Sequence, residues 1–187
     1  QRYLPMAQGL ADWIISMQDT DGGVIAGYRV EPRFTITIFN ILVLIRPVQL
    51  KFKTLTDNIV IYSALTKLSQ LTMSNTYVIA AEKNKSWALE EMWNEEAGYF
   101  YSEENEKGEH NQVARIATQA NALGVLAYGK EYSRAIEYIE QNNLRDDLKT
   151  QKLIRGFTPF SEGEVIGANE TLEMASAYRI AGRPTEA

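Results

Sequence analysis

The side chains in this 187-residue chain that could move protons or grip a ligand are few in kind. It has no cysteine and one histidine, His110, which excludes thiol nucleophiles, thiolate zinc sites, disulfide frameworks and histidine pairs. Carboxylates, amides and aromatics remain. Asp57 and Asn58 stand at the start of one helix-like segment, Asn169 and Glu170 at the start of another, and Gln119 and Asn121 lie one turn inside a third. Two carboxyl groups facing one substrate can divide acid and base work between them. Trp93, next to Tyr99-Phe100-Tyr101, offers an aromatic face near a segment end, whereas Trp13 and Trp87 fit helix faces and are expected to fill inter-helix space. Each polar candidate also has a plain structural reading. Asp57 can cap a helix, Glu170 can sit favourably in the field of a helix N-terminus, and Gln119 and Asn121 can pair between helices.

Other motifs point to no site. Asp19-Thr20-Asp21-Gly22-Gly23 places two acids around a tight turn, but Met17 to Tyr28 lacks the further oxygen ligands and closing glutamate of a calcium loop, so a plain turn is expected. Gly22-Gly23 and Gly27 lack the lysine and strand-turn-helix setting of a phosphate loop. His110 reads as a solvated loop residue, and Glu95-Glu96 and Glu103-Glu104-Asn105-Glu106 as solvated acidic loops.

Composition sets the class. Hydrophobic residues make up 45% and charged residues 23% of the chain, too apolar for disorder, and the length suits one domain spanning residues 1–187 or part of a longer ring. With 24 acids against 19 bases and a net charge of −5, no broad attraction for nucleic acid is expected. The first residues lack the basic and apolar regions of a signal peptide, and the compartment stays open. Phe34 to Ile45, the longest apolar stretch, falls short of a membrane span and reads as buried strand or packed segment.

A weak internal repeat organises the rest. Ala64-Leu65, Ala122-Leu123 and Ala177-Tyr178 recur in helix-like segments at separations of 58 and 55 residues. The first segment of each unit, such as Ile59 to Leu68, is apolar nearly all round, while the second, carrying Glu82, Lys83 and Glu90, has a wet face. Helices of the first kind belong inside and those of the second kind outside. Each unit leaves through a glycine: Gly22-Gly23-Val24, Gly98-Tyr99-Phe100 and Gly156-Phe157. Thr56-Asp57-Asn58 is the expected cap of the first inner helix. The expectation is an all-α fold, an array of α/α hairpins forming a partial or complete toroid. Arg29 to Lys53 stands apart as β-branched and strand-like.

The stretch Leu55 to Leu65, then Trp87, then Met92-Trp93-Asn94-Glu95-Glu96-Ala97-Gly98-Tyr99-Phe100-Tyr101, then Ala117 to Leu123, together with Asn169-Glu170-Thr171 through Gly182, resembles the six-hairpin (α/α) toroid proteins of carbohydrate metabolism. A ring of six hairpins would need roughly 330 residues, so this chain holds about half. Ala11 to Val24 is also similar to the repeat of the terpenoid cyclase and prenyltransferase toroids, which stands as an alternative.

The first resemblance implies a cleft at one end of the barrel, lined by inner-helix starts. It implies cleavage of an oligosaccharide or polysaccharide by carboxylates without a cofactor or metal, as in a glycoside hydrolase, with Glu170 as acid and Asp57 as base. Asn58, Gln119, Asn121, Trp93 and Tyr99 are then the substrate-binding candidates. A non-catalytic scaffold that binds a glycan or protein, self-associating or completed by the remainder of a larger chain, is the other expectation.

Overall fold

The computed structural model describes residues 2–36, 41–111, 115–147 and 154–186. Six α-helices among them carry the chain: α1 (Leu4–Ile15), α2 (Leu55–Thr72), α3 (Asn75–Glu90), α4 (Thr118–Tyr128), α5 (Arg134–Asn143) and α6 (Ala168–Ile180). Their ends follow local chemistry. Pro5 sits in the first turn of α1, where its missing N–H costs nothing, and Gly129, at φ 111°, stops α4. α4 packs against α2 on one side and α6 on the other, while α3 packs on α2 and α5 bridges α4 and α6. α1 touches α2, and its Asp12 accepts a hydrogen bond from Tyr77 of α3 at 3.0 Å. Helices α2, α4 and α6 thus form an inner row and α1, α3 and α5 an outer one.

Burial follows this layering for α4 and corrects the expectation for α2. No residue of α4 is exposed, and Ala120, Ala122 and Val125 have no accessible surface. Gly124 is part of that packing: a Cβ there would lie 2.6 Å from the Phe100 ring. α2 buries Leu55, Ile59, Leu65 and Leu68 but exposes Val60, Ser63, Ala64 and Lys67. Apolar residues around a whole helix are covered only where neighbours stand on every side, and the described residues surround α4 alone in that way.

The strands are local. β1 (Gly27–Ile36) and β2 (Ile41–Leu50) pair antiparallel from Gly27↔Leu50 to Ile36↔Ile41, which gives the β-branched stretch its strand form. Residues 37–40, and the burial expected of Phe34 to Ile45, lie outside what is described. β3 (Lys53–Thr54) pairs with β6 (Glu103–Glu104), β4 (Trp93–Asn94) with β5 (Tyr99–Phe100), and β7 (Leu144–Asp147) with β8 (Ile154–Phe157).

One hydrogen-bonding pattern recurs at the three inner-helix starts, in a register other than the one the sequence suggested. Four residues beyond each inner helix's N-cap, one side chain grips the glycine-led exit that runs past it. Asn58 Oδ1 accepts from Val24 N–H at 2.7 Å and its amide donates to Val24 C=O at 3.1 Å and Thr54 C=O at 2.8 Å. Asn121 does the same with Phe100 N–H (2.8 Å), Phe100 C=O (3.1 Å) and Ala117 C=O (3.0 Å). Thr171 accepts from Phe157 N–H at 3.1 Å and donates to Gly167 C=O at 2.8 Å. In this register Ala64-Leu65, Ala127-Tyr128 and Ala177-Tyr178 are equivalent, and Leu65, Tyr128 and Tyr178 are all buried. The alanine-rich α4 let the sequence alignment slip by five residues to Ala122-Leu123.

Candidate functional site

The candidate carboxylates both sit at the third helical position of an inner helix. α2 is capped by Thr54, not by Thr56-Asp57-Asn58: the Thr54 hydroxyl accepts from Asp57 N–H at 3.3 Å and donates to the Asp57 carboxylate at 2.6 Å. The hydroxyl thus caps the helix while Asp57 holds it in place, a side-chain pairing that differs from a capping box because the carboxylate takes the Thr54 hydroxyl and not its backbone N–H. Asp57 is exposed at the mouth of the helix. Glu170 is half-buried in the first turn of α6, where it leans over the N-cap residue Gly167; a Cβ at position 167 would strike its carboxylate. The two helices that carry these acids lie on either side of α4.

The amides divide by role. Asn58 and Asn121 are 1% exposed, with their donors and acceptors committed to the exits and to their own helices, and Asn58 also accepts from Asn84 at 2.6 Å. Both side chains hold backbone. Gln119, half-buried, donates to Glu173 Oε1 of α6 at 3.0 Å, while Glu173 Oε2 is buried without a hydrogen-bond partner. Further bonds tie the starts of α2 and α4 to each other and to the segment that follows β8. Ser102 C=O accepts from Leu55 N–H (2.9 Å), its hydroxyl accepts from Ala117 N–H (2.7 Å), and the Thr118 hydroxyl donates to Thr158 C=O (2.6 Å).

The aromatic candidates lie elsewhere. Trp93 packs at a tilt against Phe100 at 4.7 Å and edge-on to Tyr132 at 5.1 Å, and its indole N–H reaches Glu95. Tyr132 follows the C-terminus of α4, so Trp93 covers that end rather than a cleft at the helix starts. Tyr99 is buried against Tyr138 of α5 at 4.4 Å, and its hydroxyl pKa is pushed up to about 12 by burial and by neighbouring Tyr101. His110 is exposed as expected and stacks on Tyr101 at 4.1 Å. Trp87 is buried, whereas Trp13 is 53% exposed, contrary to the expectation of packing.

Sequence reasoning missed an ion cluster beneath the start of α2. Lys53, 2% exposed, bonds to Asp21, lies 3.3 Å from Glu104 Oε1 and 3.5 Å from Asp19, and sits 5.9 Å from the Trp87 ring. Trp87 N–H donates to the other Glu104 oxygen at 2.9 Å. Burial works to lower the Lys53 pKa, but the hydrogen bond to Asp21 and the charges of Glu104 and Asp21 outweigh it, and the net shift is upward. Asp19 is shifted down, first by its bond from Thr20 N–H and then, against burial, by the Lys53 charge. Glu104 is therefore no solvated loop residue: pairing of β6 with β3 sets it opposite Lys53. Only the alternation of Lys53 with its neighbours hinted at this. The expected plain turn at Asp19 to Gly23 is present, with both acids facing Lys53, and Gly23 is needed because a Cβ would lie 2.7 Å from Lys53 and 2.8 Å from Trp87. Among the described residues no group of three or more acids and histidines stands together as a metal cluster, and no helix is long and apolar enough to cross a membrane.

Inner-helix starts bearing carboxylates, in a two-layer α/α array, invite comparison with solved structures. The fold is similar to that of a glycoside hydrolase. The structure in question is a family 76 glycoside hydrolase from a bovine Bacteroides thetaiotaomicron strain, with a TM-score of 0.56 and 16% identity over 99% of this chain. The match spans 40% of that chain, so this one accounts for well under half of its length. No protein-family model and no curated protein matches the sequence.

Proposed function

We propose that this chain is a carbohydrate-active, toroid-type α/α module that hydrolyses or otherwise cleaves an oligosaccharide or polysaccharide at the inner-helix starts. The observation that carries this reading is the fold likeness to a family 76 glycoside hydrolase. Asp57 and Glu170, at equivalent positions of α2 and α6, supply the acid and base. α2 and α6 each stand about 8–10 Å from α4, so their axes lie about 16–20 Å apart, and Asp57 and Glu170 reach one glycosidic bond only by leaning inward over the N-terminus of α4. Gln119 is the amide placed to touch the sugar, and Asn58 and Asn121 hold the loops that shape its seat.

The test is product release from a panel of soluble oligosaccharides and polysaccharides, with Asp57→Asn and Glu170→Gln made singly. Loss of one acid–base group lowers turnover about 10²–10⁴-fold while thermal unfolding stays nearly unchanged. Full activity in both variants removes the pair. A second reading, a glycan-binding scaffold without turnover, is favoured by the engagement of Asp57 with Thr54. It predicts binding with no product from the unmodified chain.

A further inference from the structure

We propose that Glu173 is a positioning residue of the candidate site, one that fixes the amide of Gln119 so that its carbonyl oxygen meets a hydroxyl of the sugar. This role rests on the carbohydrate reading and adds a residue to it. Gln119 is the second residue of α4 and Glu173 the sixth of α6, so the pair bridges the seam between two inner helices near their starts. Gln119 Nε2 donates to Glu173 Oε1 at 3.0 Å. A carboxylate offers only acceptors, whereas an amide offers an oxygen on one side and an NH2 group on the other. The NH2 group must therefore face Glu173, and the amide cannot turn over without setting two acceptor oxygens against each other. Gln119 Oε1 is left without a bond among the described residues, and unlike Glu173 Oε2 it is not enclosed.

The internal repeat shows that the scaffold does not need a carboxylate at this place. Counted from the N-caps Thr54, Ala117 and Gly167, position 173 of α6 corresponds to Val60 of α2 and Leu123 of α4. The other two inner helices thus carry an aliphatic side chain there. Glu173 is also poorly served as a structural group. One of its oxygens takes a single bond from a neutral amide, and the other is enclosed with no donor, an arrangement that lowers stability. That oxygen is shut in by the described residues themselves. A leucine would fill the space without stranding an acceptor. What the carboxylate does and leucine cannot is hold the Gln119 amide in one orientation, and that amide stands at the start of α4, between the helices that carry Asp57 and Glu170. Glu170 lies three residues before Glu173 on the same face of α6. Its own carboxylate leans back over Gly167, which leaves Glu173 to meet Gln119.

The test follows the side-chain amide of Gln119 by nuclear magnetic resonance in the isotope-labelled chain. The probes are short soluble oligosaccharides of hexose, pentose and N-acetylhexosamine units, each added in turn. The Gln119 amide signals, assigned by their loss in Gln119→Ala, are expected to move on sugar binding to the unmodified chain. Glu173→Leu should weaken that binding about 3–10-fold, the worth of one hydrogen bond, and raise KM rather than lower kcat where the sugar is turned over. Its thermal unfolding midpoint should not fall, because the enclosed acceptor goes together with the one bond. Glu173→Gln, which can accept from Gln119 or donate to it, should weaken binding in the same direction by less. No movement of the Gln119 signals with any of these sugars overturns the proposal, as does equal affinity in Glu173→Leu. A lower unfolding midpoint in both variants also overturns it, since the carboxylate would then hold the helices together and not the amide in place. Turnover without a response at Gln119 removes this role and spares the carbohydrate reading; a response without turnover does the reverse.

Discussion

Replacing the residue that grips each exit measures how much of the fold rests on the repeat. Asn121→Ala removes three hydrogen bonds and leaves both the N–H and C=O of Phe100 unpaired on a residue with no accessible surface. Each buried unpaired group costs about 1–3 kcal/mol, so the loss should be about 2–6 kcal/mol, a large share of a stability of about 5–15 kcal/mol. With a urea slope of about 2 kcal/mol/M, the midpoint falls by about 1–3 M. Asn58→Ala strands Val24 N–H, Val24 C=O and the Asn84 amide, and should cost more, about 3–9 kcal/mol. Thr171→Ala strands one N–H and should cost about 1 kcal/mol. Urea unfolding of the three variants by tryptophan fluorescence gives the order directly. A cost below about 0.5 kcal/mol for Asn121→Ala, or a larger loss for Thr171→Ala than for Asn121→Ala, would refute the repeat-lock reasoning.

Four further outcomes follow from the same geometry. Gly124→Ala drives a methyl into the Phe100 ring, and thermal unfolding should show a loss of about 1–3 kcal/mol. Lys53→Met leaves Glu104 and Asp21 facing no cation and should cost about 3–5 kcal/mol at pH 7 by chemical denaturation. Because the Lys53 pKa is raised in the fold, its stabilisation is complete below 10.5 and fades as pH climbs through the folded value; that alkaline decline should be missing from Lys53→Met. The Asp19 pKa is lowered, so its contribution is complete above 3.8 and fades as pH drops through the folded value; Asp19→Asn should lose that acid limb in the same titration. Thr54→Ala should cost about 1 kcal/mol through the lost cap, whereas Thr56→Ala should be neutral in urea unfolding.

What the residues determined alone was local and periodic. Helical apolar spacing is a property of neighbouring positions, so the inner and outer helices could be read from Ile59 to Leu68, Ala117 to Leu123 and the charged face around Glu82 to Glu90. β-branched content likewise marked Arg29 to Lys53 as strand. The glycine-led exits were legible because glycine is needed where backbone runs against a ring or another chain segment, as Gly23 does against Trp87.

Only the tertiary structure decided what depends on partners distant in sequence. Asn58 and Asn121 look like ligand groups until the exits that hold them, 34 and 21 residues away, are in place. Lys53, Asp21 and Glu104 are unremarkable charges in a string, and Lys53 and Glu104 become a buried pair, with Asp21 at its edge, only when β3 meets β6. The register of the repeat was hidden for the same reason: its repeated element is a hydrogen bond between segments, and composition within one segment carries no trace of it. The stripe of Tyr3, Met6, Leu10 and Trp13 on α1 reads as an ordinary amphipathic face in the sequence. Only packing shows which side of that helix the described residues cover and which they leave exposed.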